Sequence, residues 1–205
     1  MPSRAETAAA TRRGLLDGAG ALLDMGGPDA VTLREVGARA GVSRSAPYRH
    51  FADKQSLLTA VATEAWSAVG DSLQALASDP DTAPVSSLRR ALMLLMAVGR
   101  SRPHLYRLMF TAPTDDPTAA VRAAGRAQDL FLRLVASVVG DDEAWRYAGL
   151  LLTSVHGITG LELSGHLIQD KWPGADELVD LLLTRLPAAP LTSLGSPNRQ
   201  ENSVR

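Results

Sequence analysis

Residues 32–61 read TLREVGARAGVSRSAPYRHFADKQSLLTAV. Thr32 followed three residues later by Glu35 has the spacing of a capping box, in which each side chain satisfies an orphan backbone N–H of the other's turn. It opens a short helix over 33–40, which Gly41 ends as a residue at positive φ. Ser43 is placed to N-cap a second short helix running to about His50. Asp53 then caps a long helix that carries Leu57, Val61, Ala65, Val69, Leu73 and Leu76 at core spacing. Two helices of about eight residues joined by a three-residue turn with a glycine form a helix-turn-helix, the unit that lays its second helix in the major groove of DNA. Val42, Ala46 and Phe51 supply the face that packs inward. Arg44 and Ser45 stand in the first turn, where arginine bonds guanine bidentately and serine bonds either kind of base. Tyr48, His50 and Lys54, with the Thr32 hydroxyl, offer donors for phosphate oxygens. Arg34 and Arg49 complete the candidate DNA-contacting set. Spacing alone leaves open the plainer reading of a solvated amphipathic pair.

Outward from this stretch the chain continues as helix, since apolar residues recur at three and four and no window alternates as a half-buried strand does. The expected fold is all-α, with about nine helices. Ser3 and Glu6 form another capping box, and the helix they open carries Leu15, Ala19, Leu22 and Leu23 inward until Gly26, Gly27 and Pro28 stop it. Beyond residues 79–84, DPDTAP, proline-led breaks divide the body into helices over 85–101, 103–111, 117–139, 142–168 and 174–186. The tail from Pro187 is rich in Pro, Ser and Asn, has no apolar periodicity and reads as disordered. The organisation expected is a DNA-binding domain over 1–53, a ligand-binding and dimerisation domain over 54–186 that begins with a linking helix over 54–77, and the tail over 187–205.

Composition narrows the function classes. The 205 residues are 45% hydrophobic, enough for a packed core. The absence of cysteine excludes a disulfide framework and thiolate chemistry. No signal peptide is legible at the N-terminus, so the expected location is cytoplasmic. The nearly apolar run 149–168 is interrupted by His156, Glu162 and His166 and reads as buried helix rather than a membrane span. Net charge is −1 overall, but residues 1–60 hold eight Lys+Arg against six Asp+Glu. A mildly basic head on an acidic body suits local contact with phosphate.

At this point the chain resembles a known family. Residues 32–61, with the block Tyr48-Arg49-His50-Phe51 and Lys54 after it, resemble the helix-turn-helix of TetR-type bacterial transcriptional regulators. RPHLYRLMF (102–110) with SVHGITGLELSGHL (154–167) resembles the subgroup whose C-terminal domain is called WHG-type, with Val155 where the name-giving tryptophan is expected. The resemblance implies three N-terminal helices that bind DNA, a long linking helix, and a helical body that binds a small-molecule effector and dimerises. Two departures stand out. Pro47 occupies a recognition-helix position usually filled by a branched apolar residue, and it removes the first helical hydrogen bond if Ser43 is the cap. Gly37 stands where alanine is more usual.

In the body, Met93, Met96, Tyr106, Met109, Phe110, Phe131 and His156 combine adaptable thioethers, rings and a few polar tips, and are the candidate lining of an effector pocket. Such a stripe is also what plain core looks like. The segments 147–165 and 176–186 are apolar around much of their circumference, and Gly149, Ser154, Gly157 and Gly160 permit close approach of another helix, so a four-helix homodimer interface is expected. A two-fold dimer implies a near-palindromic operator with half-sites about 34 Å apart or a multiple of it.

Other chemistries lack an assembled constellation. Gly18-Ala19-Gly20 has no third glycine for a dinucleotide fingerprint. Glu162 and His166 have metal-ligand spacing but no second pair, and Ser154 and His156, two apart on a helix, do not face each other. No cofactor, metal or enzymatic activity is expected. The reading is a DNA-binding regulator, a repressor released by an effector; the alternative is a helical binding module without specific DNA recognition.

Overall fold

A computed structural model describes residues 3–112, 118–167 and 171–187. Among them the chain forms nine α-helices and no strand: α1 Arg4–Gly26, α2 Leu33–Arg39, α3 Pro47–His50, α4 Lys54–Ala77, α5 Pro84–Ser101, α6 Pro103–Met109, α7 Thr118–Val139, α8 Asp141–Leu163 and α9 Ala175–Thr184. Most boundaries follow from local chemistry. The Ser3–Glu6 box caps α1, and Gly27, at φ 70°, ends it. Asp53 caps α4 through the Ser56 amide at 2.7 Å while the Ser56 hydroxyl accepts from the Asp53 amide. Proline opens α5 and α6, where its missing N–H has no intrahelical acceptor to lose.

α1, α2 and α3 form the head around Leu15, Ala19, Leu23, Val31, Val36 and Phe51, all buried. The first half of α4 closes this cluster with Leu57, Leu58 and Val61. Its second half enters the body, where α4 packs chiefly on α7, α7 on α8, and α5 runs between them. α9 is strapped to α5 and α8 by arginines: Arg89 binds Asp180 bidentately at 2.5 and 3.0 Å, and Arg100 holds both Glu162 and Asp176.

Four sequence expectations change. Ser43 does not cap α3: Ala46 occupies the cap position with no side-chain bond, and residues 44–46 form a turn closed by the Ala46 amide on Ser43 O at 2.9 Å. Proline 47 has no N–H to give Ser43, so the helix is one turn long, and Arg44 and Ser45 precede it instead of lying in its first turn. The Thr32 box is half formed, because the Glu35 amide bonds the Thr32 hydroxyl but the Glu35 carboxylate takes that same hydroxyl's proton rather than a backbone N–H. α8 stops at Leu163 instead of 168, where Gly165 turns at φ 73°. α9 ends at Thr184, two residues short of the expected boundary. The expectation of disorder over 187–205 falls almost wholly outside the described residues.

The two departures in the head prove to be one fitted pair. Pro47 is buried, and a Cβ placed on Gly37 would meet its Cγ at 2.7 Å. Glycine at 37 is thus what lets the proline ring pack on α2. The expected consequence is a sign reversal in a double-mutant cycle. Gly37→Ala destabilises the protein by about 1–2 kcal/mol, the overpacking cost exceeding the gain in helix propensity. In a Pro47→Ala background the same substitution stabilises by about 0.5–1 kcal/mol. Urea unfolding of the four proteins measures both.

Candidate nucleic-acid interface and effector cavity

The head presents its candidates on one exposed surface. Tyr48 is 58% exposed although it is a large ring, and Arg44, Ser45 and Arg49 around it are exposed. The Arg49 guanidinium donates to the Ser45 hydroxyl at 3.1 Å, so Ser45 braces Arg49 across the turn. Arg44, Arg49 and Lys54 make no ion pair among the described residues, whereas Arg34 reaches Glu35 at 3.2 Å. Bonds from Thr32 first and Arg34 second hold the Glu35 carboxyl below its usual range. The Thr32 hydroxyl is thereby occupied. His50 is half-buried beside Phe51, over whose ring the Arg12 guanidinium sits at 5.1 Å. Lys54 is half-buried at the first position of α4, just past its Asp53 cap.

The head meets the body through α6. Arg102 binds both carboxylate oxygens of Asp24 in α1, at 3.1 and 2.9 Å, and its guanidinium lies against Gly20. His104 lies against Gly27. Both glycines are contact points because any Cβ there would stand about 3.0 Å from these side chains.

Inside the body a cavity of about 330 Å³ opens among α4, α5, α7 and α8 and the end of α6. Its wall includes Trp66, Val69 and Leu73 of α4, Leu92 and Leu95 of α5, Met109 and Phe110, Ala127, Gln128 and Phe131 of α7, and Leu152 of α8. Among the described residues no ionisable side chain lines it. Of the sequence candidates it gathers Met109, Phe110 and Phe131. Met96 is fully buried core and Met93 packs half-buried against that core. Tyr106 and His156 face each other in another hollow, of about 300 Å³, that shares Phe110 with this one, the Tyr106 hydroxyl 3.0 Å from His156 Nδ1. Burial raises the Tyr106 phenol above its ordinary range, a bond to Thr159 opposing the rise. Trp66, Leu95 and Gln128 were missed. Trp66 was legible, lying three residues before Val69 and seven before Leu73 on the inward face of α4. Trp66 also bonds the Met109 carbonyl through its indole N–H at 3.0 Å and meets Phe110 edge-on.

The remaining feature is an apolar surface on α8 and α9. Trp145, Leu150, Leu161, Trp172 and Leu181 are about half exposed or more, and a Cβ on Gly149, Gly157 or Gly160 would meet nothing within 4 Å. Val179 and Leu183 point inward, leaving Leu181 outermost on α9. Glu162 is held by Arg100 and His166 Nδ1 lies 2.9 Å from the Ser164 hydroxyl, so the two residues with metal-ligand spacing are engaged elsewhere. Among the described residues no helix is long and apolar enough to cross a membrane.

Residues 15–61 match the family model described as "Bacterial regulatory proteins, tetR family", and residues 88–186 that described as "Tetracyclin repressor-like, C-terminal domain". Among solved structures, a protein of unknown function from Rhodococcus sp. RHA1 resembles the chain with a TM-score of 0.73 and 27% identity, over 86% of this chain and 95% of that one. A TetR-family transcriptional regulator from Streptomyces coelicolor shares the fold at TM-score 0.64 and 22% identity, over 87% and 98%. RolR in complex with resorcinol does so at 0.58 and 22%, over 90% and 91%. No curated protein matches.

Trp66 gives the cavity its own reporter. Iodide is expected to quench Trp145 and Trp172 readily and Trp66 poorly, and Trp66→Phe to abolish the shielded component. That substitution also strands the Met109 carbonyl, so unfolding should move by about 1–2 kcal/mol; an unchanged midpoint would show the bond to carry no weight.

Proposed function

We infer the mode of action from one premise: the chain belongs to the TetR family of bacterial regulatory proteins and is a DNA-binding transcriptional regulator. We propose that it works as a homodimer that occupies a near-palindromic operator and leaves it when an uncharged, largely apolar effector enters the α4–α8 cavity. The observation that carries this reading is the double duty of α4. One helix bears Lys54 at its DNA end and Trp66, Val69 and Leu73 in the cavity wall. A molecule that prefers one pose of that wall prefers one pose of the head, and DNA affinity falls by the ratio of its affinities for the two poses. RolR, whose likeness is one of fold, holds resorcinol, which supports a small-molecule role for this body.

In this reading Arg44 reaches a base edge, Arg34, Arg49, Tyr48, His50 and Lys54 bind the backbone around it, and Ser45 orients Arg49. The dimer forms through the exposed apolar face of α8 and α9, where the open glycines let two copies of α8 approach closely. The acidic body stays away from the phosphates, and no chemical step is required. A one-turn α3 also suits a body whose head no longer reads sequence, and the same experiment separates the two.

The test is to incubate purified protein with sheared genomic DNA from its source and sequence the retained fragments. A shared inverted repeat is expected; binding that is only salt-sensitive and sequence-independent would overturn the regulator reading for the binding-module one. On the recovered operator, Arg44→Ala should cost about 1–3 kcal/mol and relax one position of the repeat. Lys54→Ala should weaken all sequences alike and lower the salt slope by about 1 per half-site. Leu150→Arg with Leu161→Arg should yield folded monomers by sedimentation and lose the operator by mass action.

A further inference from the structure

The inference concerns the chemistry of the effector and rests on the effector cavity just described. Beside that cavity, and sharing Trp66 and Met109 with it, lies a second hollow of about 110 Å³ between α4, the end of α6 and the start of α7. Its polar wall is Gln55 and Thr59 of α4 and Thr111. The Thr59 hydroxyl oxygen is buried and lacks a hydrogen-bond partner among the described residues. This breaks the habit of the chain. Thr7, Thr11, Thr63, Thr111, Thr153 and Thr159 each donate to the carbonyl four residues back. Thr59 instead leaves its bonding capacity unused at the wall of a hollow, an arrangement that costs stability unless a partner is supplied.

The surrounding chemistry restricts what that partner is. Among the described residues neither hollow has an ionisable side chain, so a charged group would shed its hydration with no counter-ion among them to meet. The indole N–H of Trp66 is already committed to the Met109 carbonyl and the Thr111 hydroxyl to the Arg107 carbonyl. Three rings, Trp66, Phe110 and Phe131, face the larger hollow.

We propose that the two hollows are one two-lobed site for an uncharged ring compound with a neutral hydrogen-bonding group. The ring occupies the 330 Å³ lobe and the polar group bonds the Thr59 hydroxyl in the 110 Å³ lobe. Thr59 lies five residues from Lys54 on the same helix, so the polar end of the effector grips the linking helix between its DNA end and its cavity wall.

Naphthalene, 2-naphthol and 2-naphthoate are the probes, titrated by calorimetry into the full-length protein. The wild type is expected to bind 2-naphthol about tenfold more tightly than naphthalene and 2-naphthoate most weakly. Thr59→Val should bring naphthol to within about twofold of naphthalene while leaving naphthalene unchanged, and Thr59→Ser should keep the preference. The melting temperature of ligand-free Thr59→Val should rise, because the stranded hydroxyl is gone at constant shape. A naphthol preference that survives Thr59→Val overturns the two-lobed site while leaving the cavity reading in place. Failure of all three probes to bind, or binding untouched by a folded Ala124→Phe variant that fills the lobes' shared wall, overturns the cavity reading itself.

Discussion

Everything in this molecule depends on α4 remaining a single rod. Its 24 residues span about 36 Å at 1.5 Å per residue, and they serve both ends of one continuous core: Leu57, Leu58 and Val61 seal the head, while Trp66, Val69 and Leu73 wall the cavity. An isolated helix of this composition would be marginal; what keeps it continuous is burial along both halves and the reciprocal Asp53–Ser56 cap at the head end. No glycine or proline breaks it between Val61 and Trp66, Gly70 lying beyond the first turn of the cavity wall and buried against α7. Displacement at one end must therefore appear at the other as rotation or shift rather than as a local kink.

The head shows how a recognition helix tolerates a residue that ought to break it. Pro47 removes an N–H, and the chain answers by beginning α3 at the proline, where the missing donor has no helical acceptor to disappoint. The three residues before it fold into a turn held by the Ala46 amide, and the vacated side-chain space on α2 is supplied by Gly37. The result exchanges helical regularity around Arg44 and Ser45 for a rigid ring at the seam of the two short helices. What the surface loses in length it keeps in anchoring, since Pro47 and Phe51 are both buried while Tyr48 between them points out.

Much of this was legible in the sequence, and the failures have physical causes. Caps, proline breaks and apolar spacing are local signals, and they located nine helices among the described residues, with errors of up to five residues at their ends. The start of α3 was misplaced because a serine cap and a missing amide compete over the same four residues, and the sequence shows both. Met93 and Met96 looked like pocket lining because thioethers suit both pockets and cores, and only packing across α5 decides between them. The pair Tyr106 and His156 was found but not that it lines a different hollow from Trp66. The unused hydroxyl of Thr59 had no sequence signal at all, since a helical threonine with a free carbonyl four residues back ordinarily bonds it.

The seam between head and body carries a polar contact above a shared apolar core. It is crossed by the Asp24–Arg102 pair, whose side chains are each more than a third exposed, and pairs of that kind contribute about 0–1 kcal/mol. A regulator needs such a weak joint. Moving a two-state equilibrium from 1:99 to 99:1 requires a differential affinity of about 5.5 kcal/mol, and apolar burial yields about 25 cal/mol per Å², so roughly 200 Å² buried in one pose and not the other would suffice. A seam held by several buried ion pairs would absorb that difference before the head moved. A weak ion pair across the joint and a ring-lined cavity behind it are thus complementary, each setting the scale on which the other has an effect.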